Sequence, residues 1–185
     1  FTHRRLWLND PDCVLLRERG DSSSLVLSEM RALAGIIALL GGVTISSDHL
    51  PGLRKGRFKY LEQMLPPSGV SARPLDLFEN ELPECLALAI SRPWGSWNVV
   101  GVMNWQDGIR STEVDLRALG LPAGPYHVFN YWPRNDMGIA DQFVSIDRHL
   151  PHELVILLFK PVSDQPQLLT TTFHIAQTLS EVQSV

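Results

Sequence analysis

Asn9, Asp10 and Asp12 crowd the end of a short apolar run, Leu6-Trp7-Leu8, with Pro11 between the two aspartates and Cys13 directly after them. Two carboxylates and an amide this close together can accept hydrogen bonds from a hydroxylated group or shift the ionisation of a neighbouring acid. Pro11 pins the turn and pushes Asp10 out of the helical region. A parallel α/β protein gathers its chemistry at such an edge, because the loops at the C-terminal ends of its strands line the ligand crevice. The same residues also suit a plain Asx turn, and residue types leave both readings open. A second polar cluster, Ser46-Ser47-Asp48-His49, follows the apolar run Val43-Thr44-Ile45 in the same manner.

Those clusters need elements to position them. Residues 5–9 read as a strand, and the apolar Val14-Leu15-Leu16 follows the turn. From Ser28 onward Met30, Leu33, Ala34, Ile37 and Leu40 recur at helical spacing, and Gly41-Gly42 end the helix. Residues 43–45 read as a brief buried strand. A second helix is expected from Pro51, with Phe58, Leu61, Met64 and Leu65 on one face, closed by Pro66-Pro67. Strand, helix, strand, helix is the repeat of a parallel α/β protein.

Beyond Pro67 the pattern changes, which divides the chain into residues 1–66 and 67–185. Short β-rich runs separated by Gly, Pro, Asn and Asp occupy 85–91, 97–105, 112–116, 126–132, 138–146, 153–161 and 167–175, and the alternating 181–185 could add an edge strand. This spacing, with no helical period between runs, reads as an antiparallel sandwich or barrel. Two strand-helix units cannot close a sheet, and a (β/α)8 barrel needs eight units and about 250 residues. The expected fold class is therefore α/β plus all-β: the last quarter of a (β/α)8 (TIM) barrel followed by an antiparallel β-sandwich.

The 185 residues are 44% hydrophobic and 19% charged, with a formal net charge of -4, which describes a globular chain without a clustered basic surface. No nucleic-acid partner is expected, because phosphate binding needs such a surface. No membrane span is expected either, since no uncharged apolar stretch approaches about 18 residues. The six histidines show no ligand spacing, the two cysteines show none, and no Gly-x-Ser-x-Gly elbow exists. Neither a metal nor another cofactor is expected. Trp97, Trp105, Tyr131 and Trp132 are expected to fill a core rather than form a stacking platform, with Trp94, in the turn 92–96, the exposed aromatic. The chain begins at Phe1 without an initiator Met, so a piece of something longer is expected, with the cytoplasm as its compartment.

Three stretches, Trp7 to Cys13, the helix from Leu27-Ser28-Glu29, and Gly41 to Asp48, resemble in order and spacing the seventh and eighth strand-helix units of the retaining α-galactosidase (melibiase) clan of glycoside hydrolases. Further stretches resemble its bacterial members: 72–79, 102–105, 126–132, Pro151-His152, 164–169 and 173–175. The resemblance implies a barrel carrying the active site and a β-sandwich packed behind it. It implies hydrolysis of terminal α-linked galactosides with retention, by one Asp as nucleophile and another as acid/base. In the clan these follow the fourth and sixth strands, so both precede the counterpart of Phe1, and no catalytic carboxylate is expected among these residues.

The resemblance further implies that Asp12 lies beside the sugar subsite, that Cys13 lines the same wall, and that Asn9 and Asp10 hold the turn. Asp48 points to the same rim, where capping and substrate contact are both open. Relatives carry Ser or Thr at the position of Val26, and losing that cap costs about 1 kcal/mol. The implied partner is an α-linked oligosaccharide or glycoside bound through the complete barrel. Exposed flanks of the two barrel strands predict that the chain self-associates. The alternative is a non-catalytic carbohydrate-binding or structural module.

Overall fold

In the computed structural model, which describes residues 2–177 and Val182, helix α1 (Leu27–Leu40) and helix α2 (Lys55–Met64) precede eight strands. These are β1 (Arg73–Pro74), β2 (Cys85–Arg92), β3 (Gly95–Met103), β4 (Arg110–Asp115), β5 (Tyr126–Asn130), β6 (Asn135–Ala140), β7 (Phe143–His149) and β8 (Leu154–Pro161). Six form an antiparallel sheet in the order β1-β2-β3-β8-β5-β6, and β4 pairs with β7 in a separate antiparallel ribbon. The edge strand expected at 181–185 lies outside the described residues apart from Val182.

The sequence of β8 explains its place. Leu154 to Lys160 are all buried, so the strand reads as a continuous apolar run rather than an alternation. Leu154, Ile156 and Leu158 face the helices, packing in one core with Met30, Ala34, Ile37 and Leu39 of α1 and with Leu88, Trp97 and Val99. Val155, Leu157 and Phe159 face the β4–β7 ribbon and share a second core with Val100, Val102, Val114, Val144 and Ile146. A Cβ on Gly35 would stand 2.6 Å from Leu154 Cδ2, and one on Gly101 would stand 2.7 Å from Leu39 Cδ1. Two glycines at the contact therefore let α1 lie close against the sheet.

Helix α1 starts without a polar N-cap side chain, because Val26 occupies that position. Glu29 supplies half of a capping box, its carboxylate accepting the Val26 N–H at 2.8 Å. At the other end Gly41 takes the left-handed conformation, φ 63°, and its N–H donates back to Ile37 and Ala38.

Several local expectations are corrected. Residues 5–9 do not form a strand: Arg4 to Leu6 turn, and His3 bridges Trp7. The brief strand at 43–45 is reduced to a parallel bridge between Val14 and Ser46, in which Val14 N–H donates to Ile45 O at 2.8 Å and Ser47 N–H to Val14 O at 3.3 Å. Pro51 sits in a 3-10 turn, Leu50–Gly52, and α2 begins only at Lys55. The run 138–146 splits into parts of two strands, β6 and β7, at Asp141-Gln142. Residues 167–175 form no strand. They strap the helical face instead, with Ile175 N–H donating to Gln63 O at 2.8 Å and Gln63 Nε2 donating to Thr172 O at 2.8 Å.

Candidate functional site

The parallel bridge sets Ser46 beside Val14, just after the first polar cluster, and Asp48 locks the segments that follow on either side. Its side chain is 1% exposed. One carboxylate oxygen accepts the Leu16 N–H at 2.7 Å and the Ser46 hydroxyl at 3.3 Å. The other accepts the Arg17 N–H at 3.2 Å and the Arg17 guanidinium at 3.3 Å. A carboxylate offers about four lone-pair sites, and all are engaged here. Arg17 in turn donates to Ser47 O at 3.0 Å and Ser22 O at 3.1 Å, which ties the loop after Leu16 to the loop after Ile45. Nothing in the sequence pattern singles out Arg17, because its partner lies 31 residues away. Beside this knot an open cavity of about 400 Å³ is lined by Arg17, Asp21, Ser22, Ser47, Asp48 and His49.

Asp12 stands apart from that cavity. Its N–H donates to Asp10 Oδ1 at 2.8 Å, closing an Asx turn, and its backbone is left-handed at φ 66°, a conformation that Asp tolerates better than most residues. The Asp12 side chain is exposed, whereas Cys13 is half-buried. Asn9 closes the base of the turn: its N–H donates to His3 Nδ1 at 3.0 Å, and its Oδ1 accepts the Thr2 hydroxyl at 3.2 Å. The flanking apolar side chains face outward, with Leu6 68%, Trp7 59% and Leu8 72% exposed, and with Val43 and Ile45 also exposed.

Polar chemistry inside the β layers holds strands together. Asn104 is fully buried, and its Nδ2 lies within 3.1 Å of the carbonyls of Gly108, His149 and Leu150. His149 is buried between Glu153 O at 3.0 Å and the Thr112 hydroxyl at 2.9 Å. A carbonyl only accepts, so Nε2 carries the proton and Nδ1 accepts from Thr112. Burial pushes the His149 pKa below its ordinary value, opposed by the Glu153 carbonyl. Cys85 is pushed up to about 11 by burial and by the carboxylates of Asp76 and Glu84, with Arg110 opposing. Arg110 pairs with Glu84 at 2.7 Å.

The aromatics divide between core and surface. Trp97 and Tyr131 are buried. Trp132 is half-buried, Trp105 is 36% exposed, and Trp94 is half-buried and stacked on Trp97 with centroids 5.1 Å apart. Among the described residues no group of three His, Cys, Asp or Glu side chains gathers in a way that could hold a metal ion, and no helix is long and apolar enough to cross a membrane.

No protein-family model matches the chain. Solved structures do share its fold. A GH27 β-L-arabinopyranosidase from Geobacillus stearothermophilus superposes with a TM-score of 0.61 at 14% identity, over 78% of this chain and 32% of that one. An α-galactosidase I from Mortierella vinacea gives 0.60 at 12% identity, over 77% of this chain and 38% of that one. An α-galactosidase from Saccharomyces cerevisiae gives 0.59 at 10% identity, over 76% and 45%. The chain thus spans less than half the length of each. At these identities the likeness is one of fold, and it lies where the resemblance read from the sequence pointed.

Proposed function

We propose that this chain is the C-terminal part of a retaining, α-galactosidase-like glycoside hydrolase, with residues 1–66 contributing the last quarter of a (β/α)8 barrel and residues 67–185 the sandwich behind it. The observation that carries the reading is the conjunction of a parallel contact, Val14 to Ser46, with a fold shared over three quarters of the chain with α-galactosidases and an arabinopyranosidase. Surface accounting supports it. The chain exposes 10211 Å², whereas a compact monomer of its 20.8 kDa mass exposes about 8,900 Å². Part of that surplus is the apolar face of Leu6, Trp7, Leu8, Val43 and Ile45, where neighbouring barrel strands would pack.

In the complete enzyme the nucleophile and the acid/base come from earlier strands, and the substrate is a terminal α-linked galactoside. Asp12, held outward by the Asp10 turn, accepts sugar hydroxyls, and Cys13 lines the same wall. Asp48 acts one step back, holding the segment that follows them through the Leu16 and Arg17 N–H groups. The apolar face drives the isolated chain to self-associate.

The test is hydrolysis of an aryl α-galactoside by the purified chain beside an upstream-extended form. A silent chain next to an active longer form supports the reading, and turnover by the 185 residues alone overturns the placement of the catalytic carboxylates. Asp12→Ala in the longer form separates the reading from a non-catalytic carbohydrate-binding or structural module: a raised KM supports the substrate contact, and unchanged kinetics refute it. Elution as a monomer at micromolar concentration would refute self-association.

A further inference from the structure

A cleft at the junction of the two helices with the β5–β6 turn gathers three cations and no carboxylate. It encloses about 200 Å³, and its lining includes Arg31, Lys59, Tyr60, Gln63, Trp132 and Arg134. Arg31 is held there by aromatic rings rather than by an acid. Its guanidinium carbon lies 5.6 Å from the Tyr60 centroid and 5.3 Å from the Trp132 centroid, and its Nε donates to Tyr60 Oη at 3.0 Å. The two rings meet edge to face at 5.9 Å, so the guanidinium is fixed before any ligand arrives. Trp132 is itself anchored, its indole N–H donating to Leu154 O at 2.9 Å.

None of the four ion pairs among the described residues involves Arg31, Lys59 or Arg134. This occurs in a chain whose 20 acidic residues outnumber its 16 basic ones. Helix α2 adds to the positive field: its first turn, which reaches the cleft at Gly56, holds no acid and carries Lys55 and Arg57. A ring-flanked guanidinium is weakly hydrated and presents its terminal N–H groups in a fixed fork, which matches an oxyanion better than it matches water.

We infer that this cleft binds the tetrahedral oxyanion of a small phosphorylated or sulfated molecule, with the Arg31 fork as the central contact and Lys59 and Arg134 closing on it from the rim. The site is separate from the Asp12 edge and does not rest on the glycosidase reading.

The experiment titrates inorganic phosphate, and separately sulfate, into the 185-residue chain at constant ionic strength balanced with chloride. The Trp132 indole and Arg31 Nε–H resonances are followed by proton–nitrogen NMR, with the Trp105 indole as an internal control. Saturable shifts at Trp132 and Arg31, absent at Trp105, are expected. Lys59→Gln combined with Arg134→Gln alters two exposed side chains and should weaken binding at least about tenfold while leaving the melting temperature unchanged. Arg31→Lys keeps the charge but loses the fork, and should weaken phosphate at least as much. Shifts that stay linear, that chloride reproduces, or that survive both variants overturn the inference.

Discussion

Replacing Asp48 by Ala probes the knot that joins the segments after Val14 and Ser46. The substitution strands two backbone N–H groups, those of Leu16 and Arg17, and leaves the half-buried Arg17 guanidinium without its acid. Leaving a buried donor unsatisfied costs about 1–3 kcal/mol, and removing one partner of a buried pair costs about 3–5 kcal/mol in all. The Arg17 side chain is 23% exposed and recovers some hydration, so the lower end, about 3 kcal/mol, applies. For a chain of this size each kcal/mol lowers the melting temperature by about 2–4 °C, so Asp48→Ala should melt about 6–12 °C below the parent. Asp48→Asn keeps the shape and one accepting oxygen, and should lose about half as much. Thermal unfolding by circular dichroism, with urea midpoints as a second measure, decides it. A change in melting temperature below about 2 °C for Asp48→Ala would refute the positioning role and return Asp48 to the surface as a ligand contact.

Two further outcomes rest on titratable groups within the β layers, His149 buried and Cys85 half-buried. Burial lowers the His149 pKa in the folded chain, so the unfolded chain takes up the proton more readily. The His149 contribution is therefore fully present above the unfolded value of about 6.5 and is lost as pH falls below it. Urea midpoints at pH 7.5 and pH 5.5 should fall more steeply in the parent than in His149→Gln, and parallel slopes would contradict the assignment. Cys85, at about 11, holds only about one thiolate in a thousand at pH 8. In a Cys13→Ser background iodoacetamide should modify Cys85 about two orders of magnitude more slowly than a small thiol of ordinary pKa, and an equal rate would show that the site is open.

Local pattern was enough for the elements whose neighbours are close in sequence. Helix α1 ends at Gly41, whose left-handed backbone closes it, and apolar spacing placed Met30, Ala34 and Ile37 on its buried face, whereas Leu33 and Leu40 are only partly buried and Leu39 is buried in full. The β-rich runs between 85 and 161 became strands because alternation and turn residues are short-range signals. The Asx turn at Asp10 is equally local, its donor and acceptor lying two residues apart.

What the sequence could not decide depends on partners far along the chain. Residues 5–9 carry strand-forming side chains but find no neighbour to pair with beyond a bridge to His3, and a strand without a ladder leaves its backbone unsatisfied. Residues 167–175 look like a strand by composition, yet side chains of other elements hold them, Lys160 at Leu168 O, Tyr131 at Thr172 O, and Gln63, more than 100 positions away, also at Thr172 O. The same holds for the polar groups. Asp48 reads as a ligand contact or a cap until Leu16 and Arg17 fold onto it, and the setting of Arg31 depends on Trp132, far along the chain in the turn after β5. Periodicity in this chain determines which faces are apolar. Only tertiary packing determines which polar groups are already satisfied and which remain free to bind.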